Sequence, residues 1–188
     1  MKIFAVNGSP RKRGNTYNMI DTVMNVCGKA GFSTEIYQAG GRETRGCMAC
    51  GSCYKNKGRC ATDDWMNEVY QKMKEADAII IGSPTYFADL TPETKAVIDR
   101  CGYISRADGF ALSRKIGAAV GAVRRCGGIY TLDSIQHFFL ISDMIVPGST
   151  YWNMSLSRDL DDYAKDTEGQ ETMQRLAENI IWLLEKTR

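Results

Sequence analysis

Histidine is almost missing from this chain of 188 residues: His137 stands alone, in a helical pattern beside Phe138 and Phe139. Histidine is the side chain best placed to move protons near neutral pH. With no base or nucleophile visibly paired to it, His137 reads as a packed or surface residue, and no catalytic constellation is apparent. Charge of one sign is not in excess either. Lys+Arg 24 against Asp+Glu 22 leaves a formal charge of +2, and the only block of like charge is the short stretch Arg11-Lys12-Arg13. Bulk charge therefore gives no reason to expect nucleic acid as a partner. The opening residues carry only four apolar residues in a row, Ile3 to Val6, before Asn7 and Gly8. That is too few for a signal h-region or a membrane span, so a cytoplasmic location without membrane contact is expected. Repeats and low-complexity linkers are absent too. The length suits one substantial core rather than two, which predicts a single domain over residues 1–188.

What the chain does have is a regular alternation of apolar runs and helical patterns. Lys2 to Val6 reads as a strand ending at Asn7-Gly8-Ser9-Pro10, followed by a helix from about Thr16 to Ala30. Ser33 to Tyr37 alternates like an edge strand, and Gly40-Gly41 ends it. Thr62, followed by Asp63 and Asp64, predicts an N-cap and favourable first-turn charge for a helix through about Glu75. Ala78 to Ile81 is continuously apolar, as a strand buried on both faces should be. Thr91-Pro92-Glu93 opens a helix to Cys101 or beyond, because proline is tolerated at the first helical position. Ile116 to Val123 predicts a strand, Thr131 to Ser142 a helix, Met144 to Val146 the last strand, and Glu168 to Glu185 a closing amphipathic helix. Five strands separated by helices describe an α/β three-layer sandwich around a doubly wound parallel sheet. Rossmann and flavodoxin-like strand orders both satisfy this pattern. The segment from Gly148 to Thr167 is long and irregular, which marks it as a loop at an active site or a partner contact.

Three of the loops follow strands on what should be one edge of the sheet. The first, Gly8 to Thr16, carries hydroxyls, an amide and free backbone N–H groups into a helix N-terminus, where the dipole favours an anion such as phosphate. An ordinary polar turn with an N-cap is the plainer reading. The loop is neither G-x-G-x-x-G nor a Walker motif. The second is Gly82-Ser83-Pro84-Thr85-Tyr86-Phe87 and the third runs from Val123 to Gly128. Ligands of open α/β sheets lie outside the carboxyl ends of the strands, so the three should meet at one crevice. There Tyr86 and Phe87 could shape a flat apolar slot, or simply pack. Arg124, Gly127 and Gly128 could bring charge and exposed N–H groups to a polar ring edge.

Four of the seven cysteines, Cys47, Cys50, Cys53 and Cys60, form a C-x2-C-x2-C-x6-C run. An odd total with four clustered fits a disulfide framework poorly. Three cysteines at consecutive three-residue intervals crowd sulfurs as a multi-iron cluster requires. With no second group of thiols, one 4Fe-4S cluster held by all four is the favoured reading. Gly46, Gly51 and Gly58 would let the backbone wrap it. Zinc also accepts four thiolates but usually takes two C-x-x-C pairs set well apart, and cysteines without metal remain the third reading. Cys27 and Cys101 read as small buried hydrophobes. Cys126 lies in the third loop.

With GSPRKRGNT at Gly8 to Thr16, the compact cysteine run, GSPTYF at Gly82 to Phe87 and the Gly127-Gly128 loop in view, the sequence resembles the iron-sulfur flavoprotein family. That family belongs to the wider group of NAD(P)H-dependent FMN reductases of flavodoxin-like fold, and the likeness covers nearly the whole chain. The resemblance implies that Ser9, Arg11, Asn15 and Thr16 hold the FMN phosphate. It also implies that Pro84, Thr85 and Tyr86 line the isoalloxazine, with Phe87 beside them, and that Arg124, Gly127 and Gly128 approach its pyrimidine side. The domain would then be an FMN-binding one with a cysteine-rich insertion at about residues 40–62. Members of the family are dimers or tetramers with the cluster of one subunit near a neighbour's flavin, so a homodimer or homotetramer is expected. The third loop departs from the family: it reads Arg124-Arg125-Cys126-Gly127-Gly128-Ile129-Tyr130 where many relatives carry Gly-Gly-Gln-Glu. The function expected is FMN and 4Fe-4S electron transfer, with NAD(P)H or a ferredoxin-like protein as donor and a small molecule as acceptor. Two alternatives stand beside it: an NAD(P)H-dependent FMN or quinone reductase without a cluster, and a non-enzymatic redox sensor switching through its thiols.

Overall fold

A computed structural model describes residues 1–187. Along them run β1 (Lys2–Asn7), α1 (Asn15–Lys29), β2 (Ser33–Gln38), α2 (Ser52–Lys55), α3 (Trp65–Glu75) and β3 (Ala78–Pro84). Then come α4 (Pro92–Ala107), β4 (Ile116–Val123), α5 (Gly128–Ile141), β5 (Met154–Leu156), a 3-10 turn (Asp162–Lys165) and α6 (Thr167–Lys186). The strands pair in parallel in the order β2-β1-β3-β4-β5. That is the flavodoxin-like order, so the structure decides between the two left open by sequence pattern, and it places the switch point between β1 and β3.

Alternation along each strand divides the core. Phe4 and Val6 of β1 join Ile79 and Ile81 of β3 beneath α3, α4 and α5. Ile3, Ala5 and Ile80 face the other way, toward Met19, Ile20 and Val23 of α1 and Leu176 and Ile180 of α6. Side chains of neighbouring strand positions point to opposite faces, so an unbroken apolar run is what a sheet covered on both sides requires. No helix among the described residues is long and apolar enough to cross a membrane.

Two element expectations are corrected. Met144 to Val146 makes only a single bridge, Ile116 to Ile145, before Pro147 and Gly148 lead the chain away from the sheet. The fifth strand is β5, inside the segment that reads as irregular. Its middle residue, Ser155, is buried by hydroxyl contacts to Ser157 Oγ and Asp166 Oδ2, both 2.6 Å, where an apolar pattern would use a methyl group. The N-cap of α3 is Asp64 and not Thr62: Asp64 Oδ1 accepts from the Met66 N–H at 3.1 Å, while the Thr62 carbonyl accepts from Asn67 and Arg100. The cysteine-rich insertion holds the short α2.

Candidate functional site

At the carboxyl edge of the sheet a cleft opens between the loops after β1, β3, β4 and β5. Ser9, Arg11, Asn15, Thr16, Pro84, Thr85, Tyr86 and Arg124 line it, together with Ala122, Ser157 and Arg158. Of the residues singled out in the sequence, the structure brings the first eight together. Phe87 is fully exposed in a left-handed conformation (φ 45°) and lies outside the lining. Gly127 and Gly128 are outside it as well. Gly127, with φ 88°, instead brings the third loop against Thr85 and Ala88, and Thr85 Oγ1 meets Thr131 Oγ1 at 2.9 Å.

The first loop is held from beneath. Asn7 Oδ1 accepts from the Ser9 N–H at 3.1 Å, Asn7 Nδ2 donates to Gln38 at 2.7 Å, and Ser9 Oγ accepts from the Arg11 N–H at 3.2 Å. Gly14 at the N-cap of α1 contributes no side-chain bond, which leaves first-turn N–H groups free for an anion. Arg11, Arg124 and Arg158 supply positive charge and no carboxylate joins the lining. The Asn15 side chain bonds elsewhere. Its amide donates to the Asp159 carbonyl at 2.7 Å and accepts from the Tyr163 N–H at 3.3 Å, fastening the loop after β5 to the start of α1. Ser157 and Arg158 were missed in the sequence because β5 was missed. These donors suit a phosphate monoester, and Pro84 with Tyr86 gives the adjoining surface an apolar flank, so the residues present fit FMN.

The four clustered cysteines line a second, smaller hollow with Gly46, Gly51, Thr62, Arg100, Tyr103 and Ile104. It shares no lining residue with the cleft. The chain wraps it through left-handed residues at Ala49 (φ 51°), Gly51 (φ 68°) and Gly58 (φ 77°). The loop is pinned from outside: Asn67 Oδ1 accepts from the Cys60 N–H at 2.8 Å, Gln71 donates to the Gly58 carbonyl at 2.8 Å, and Trp65 Nε1 donates to the Glu43 carbonyl at 3.0 Å. No three ligating side chains among the described residues converge on a point that would hold one ion. Four thiols around one hollow are a donor set that both zinc and an iron-sulfur core accept.

The thiols differ in character. Burial pushes Cys53 above the ordinary range, and the three neighbouring sulfurs add to this. Ser52, through its hydroxyl and its N–H, holds exposed Cys50 below that range. Burial pushes Cys27 and Cys101 up to about 12, which marks them as inert packing.

Behind the hollow, Arg100 of α4 and Asp64 form an ion pair. Burial raises the Asp64 pKa, but the Arg100 guanidinium and the Met66 N–H together bring it below the ordinary carboxylate value. A lowered carboxylate pKa contributes stability that is present above the unfolded-state value and disappears as pH falls through the folded-state value. Asp64→Asn should therefore be less stable than wild type at neutral pH, with the gap narrowing below about pH 3.9. Denaturant unfolding at stepped pH checks this, and a gap that widens on acidification would contradict it.

Residues 1–159 match the family described as NADPH-dependent FMN reductase. An iron-sulfur flavoprotein of Methanocaldococcus jannaschii is 35% identical to the chain, over 96% of this chain and 95% of that protein. An iron-sulfur flavoprotein of Methanosarcina thermophila is also 35% identical, over 98% of this chain and 96% of that one. Among solved structures, a flavodoxin from the domain Archaea superposes with a TM-score of 0.62 at 18% identity, covering 96% of this chain and 99% of its own.

Proposed function

Given that the chain belongs to the NADPH-dependent FMN reductase family and is a flavin-dependent oxidoreductase, we propose that it is an electron-transfer flavoprotein whose four clustered cysteines hold a 4Fe-4S cluster. The observation that carries this reading is the ring of Cys47, Cys50, Cys53 and Cys60 around one hollow in a chain that also has an arginine-lined cleft of the right character for FMN. The names of the two 35% identical relatives support it. When bound, the flavin would supply exchange of electron pairs and the cluster exchange of single electrons.

The chain's own residues bind and orient. Arg11, Arg124 and Arg158, with the free N–H groups of α1, neutralise the phosphate, and Pro84 and Tyr86 flank the ring system. No proton-moving side chain is required, which accords with a cleft lining that holds neither carboxylate nor histidine. We assign the chain one FMN-binding domain with the cysteine-rich insertion at about residues 40–62. Within residues 42–60, Arg42, Arg45, Lys55, Lys57 and Arg59 outnumber the single acidic residue Glu43, although Arg59 is paired with Asp63 just beyond. Such a surface favours an acidic, ferredoxin-like donor over long range. Exposed Phe87, Tyr130, Ile141 and Trp152 support self-association as a dimer or tetramer.

A second reading, an NAD(P)H-dependent FMN or quinone reductase without a cluster, is favoured by the description of the matching family. Metal and flavin analysis of protein purified without oxygen separates the two. About four irons and four sulfides with about one FMN per chain is expected for the cluster type. FMN without iron would leave the simpler reductase.

A further inference from the structure

Resting on the four-cysteine centre proposed above, we infer that Arg100 is a positioning residue for that centre, one whose charge and Nε–H act on the sulfur-bound core from inside the protein and raise its reduction potential.

Arg100 lies in the middle of α4 with its side chain 1% exposed. A charge buried to this extent demands partners for every donor. The guanidinium has five N–H groups. Nη1 donates to Asp64 Oδ2 at 2.6 Å and to the Arg45 carbonyl at 3.2 Å, and Nη2 donates to Asp64 Oδ1 at 2.7 Å and to the Thr62 carbonyl at 3.3 Å. The fifth, Nε–H, has no partner, and it is the only buried side-chain nitrogen or oxygen left so among the described residues. Leaving a charged donor unpaired inside a protein is expensive, and an isolated instance points to an acceptor that belongs at the site. The hollow that Arg100 lines is the one ringed by the four thiols. Cys60 lines the same hollow as Arg100.

The consequence follows from charge. Thiolate-bound iron-sulfur cores are anionic, and taking up one electron makes them more so. A fixed cation and an N–H directed at sulfur stabilise the reduced form more than the oxidised one, and hydrogen bonds to sulfur are among the recognised determinants of cluster potential. No proton moves in the step. One electron passes from a reductant such as dithionite to the core.

The test is an EPR-monitored dithionite titration of the FMN-loaded protein, prepared without oxygen. It compares wild type, Arg100→Lys, and the double variant Arg100→Gln with Asp64→Asn. The double variant removes both partners of the ion pair, so neither charge is left buried alone. At a fixed potential its ratio of reduced to oxidised cluster should fall about tenfold, equivalent to about 59 mV for a one-electron couple. Arg100→Lys should fall less, because it keeps the charge and loses the fork. The FMN potential should stay put in both. Unchanged cluster potentials with iron retained would overturn the inference. So would cluster and FMN potentials that shift together, or iron lost from both variants, since Arg100 would then act only as a scaffold. Iron-free wild type, detected by metal analysis before any variant is compared, would remove the centre itself and the role of Arg100 with it.

Discussion

Gly40→Ala will strip the protein of its FMN. A Cβ built on residue 40 would lie 2.2 Å from the Ser9 carbonyl carbon, 2.3 Å from the Ser9 oxygen and 2.5 Å from the Gly8 oxygen. All three are backbone atoms of the first loop, so no side chain can swing aside. The loop is pressed onto this position from several directions: the Gly40 N–H donates to the Asn7 carbonyl at 3.0 Å, and Gln38 Nε2 donates to the Ser9 carbonyl at 2.7 Å and the Gly40 carbonyl at 2.8 Å. Accommodating the methyl group means moving Ser9 away from β2, and the Ser9 hydroxyl and Arg11 move with it out of the cleft lining proposed to hold the phosphate. We expect the FMN dissociation constant to rise at least a hundredfold, about 2.8 kcal/mol. Fluorescence titration of the apoprotein with FMN reads this directly. Gly28→Ala serves as the control, because its Cβ meets only Thr34 Oγ1 at 3.9 Å on an exposed helical position. Equal affinity in Gly40→Ala and wild type would mean that the first loop does not bind the phosphate.

This dependence on Gly40 shows where sequence reasoning reaches and where it stops. The loops themselves were legible, because each packs its chemistry into consecutive residues: hydroxyls and glycines at Gly8 to Thr16, and thiols at fixed spacing from Cys47 to Cys60. The central strands were legible as well, since burial on both faces leaves an uninterrupted apolar run such as Ala78 to Ile81. The fifth strand was not. Three residues with a serine at the buried position carry no period, and the apolar Met144 to Val146 offered a better match that Pro147 cuts short. Losing β5 hid Ser157 and Arg158, which enter the cleft only because β5 pairs with β4. Arg100 was equally hidden: on α4 it looks like any charged helical residue, and its burial behind the cysteines depends on how α4 packs against the loop before α3. Spacing along the chain reveals groups that act with their neighbours, whereas groups brought together by crossovers leave no local trace.

The largest effect expected at the second site is that of Cys53→Ser. Cys53 lies in α2, half-buried and, like Cys60, packed against the core beneath the hollow, whereas Cys47 and Cys50 are exposed. Serine matches its shape closely but offers a hard, weakly acidic hydroxyl where iron in such centres takes thiolate. Iron should fall from about four to less than one per chain, and the broad absorbance near about 400 nm should go with it. The fold should survive. The bonds that pin the loop, from Asn67 to Cys60 and Thr62, from Gln71 to Gly58 and from Arg100 to Arg45, run through backbone atoms and do not involve Cys53 Sγ. FMN content should likewise hold, because the cleft lies elsewhere. Reduction of the flavin by a small two-electron reductant should therefore continue, while electron delivery by a ferredoxin-like donor should slow by at least a hundredfold, about 2.7 kcal/mol of barrier. Cys126→Ser, altering an exposed thiol outside both linings, should change neither. Full iron in Cys53→Ser would show that the centre is not held by all four cysteines. Iron lost with donor rates unchanged would mean that electrons reach the flavin without passing through the cysteine site.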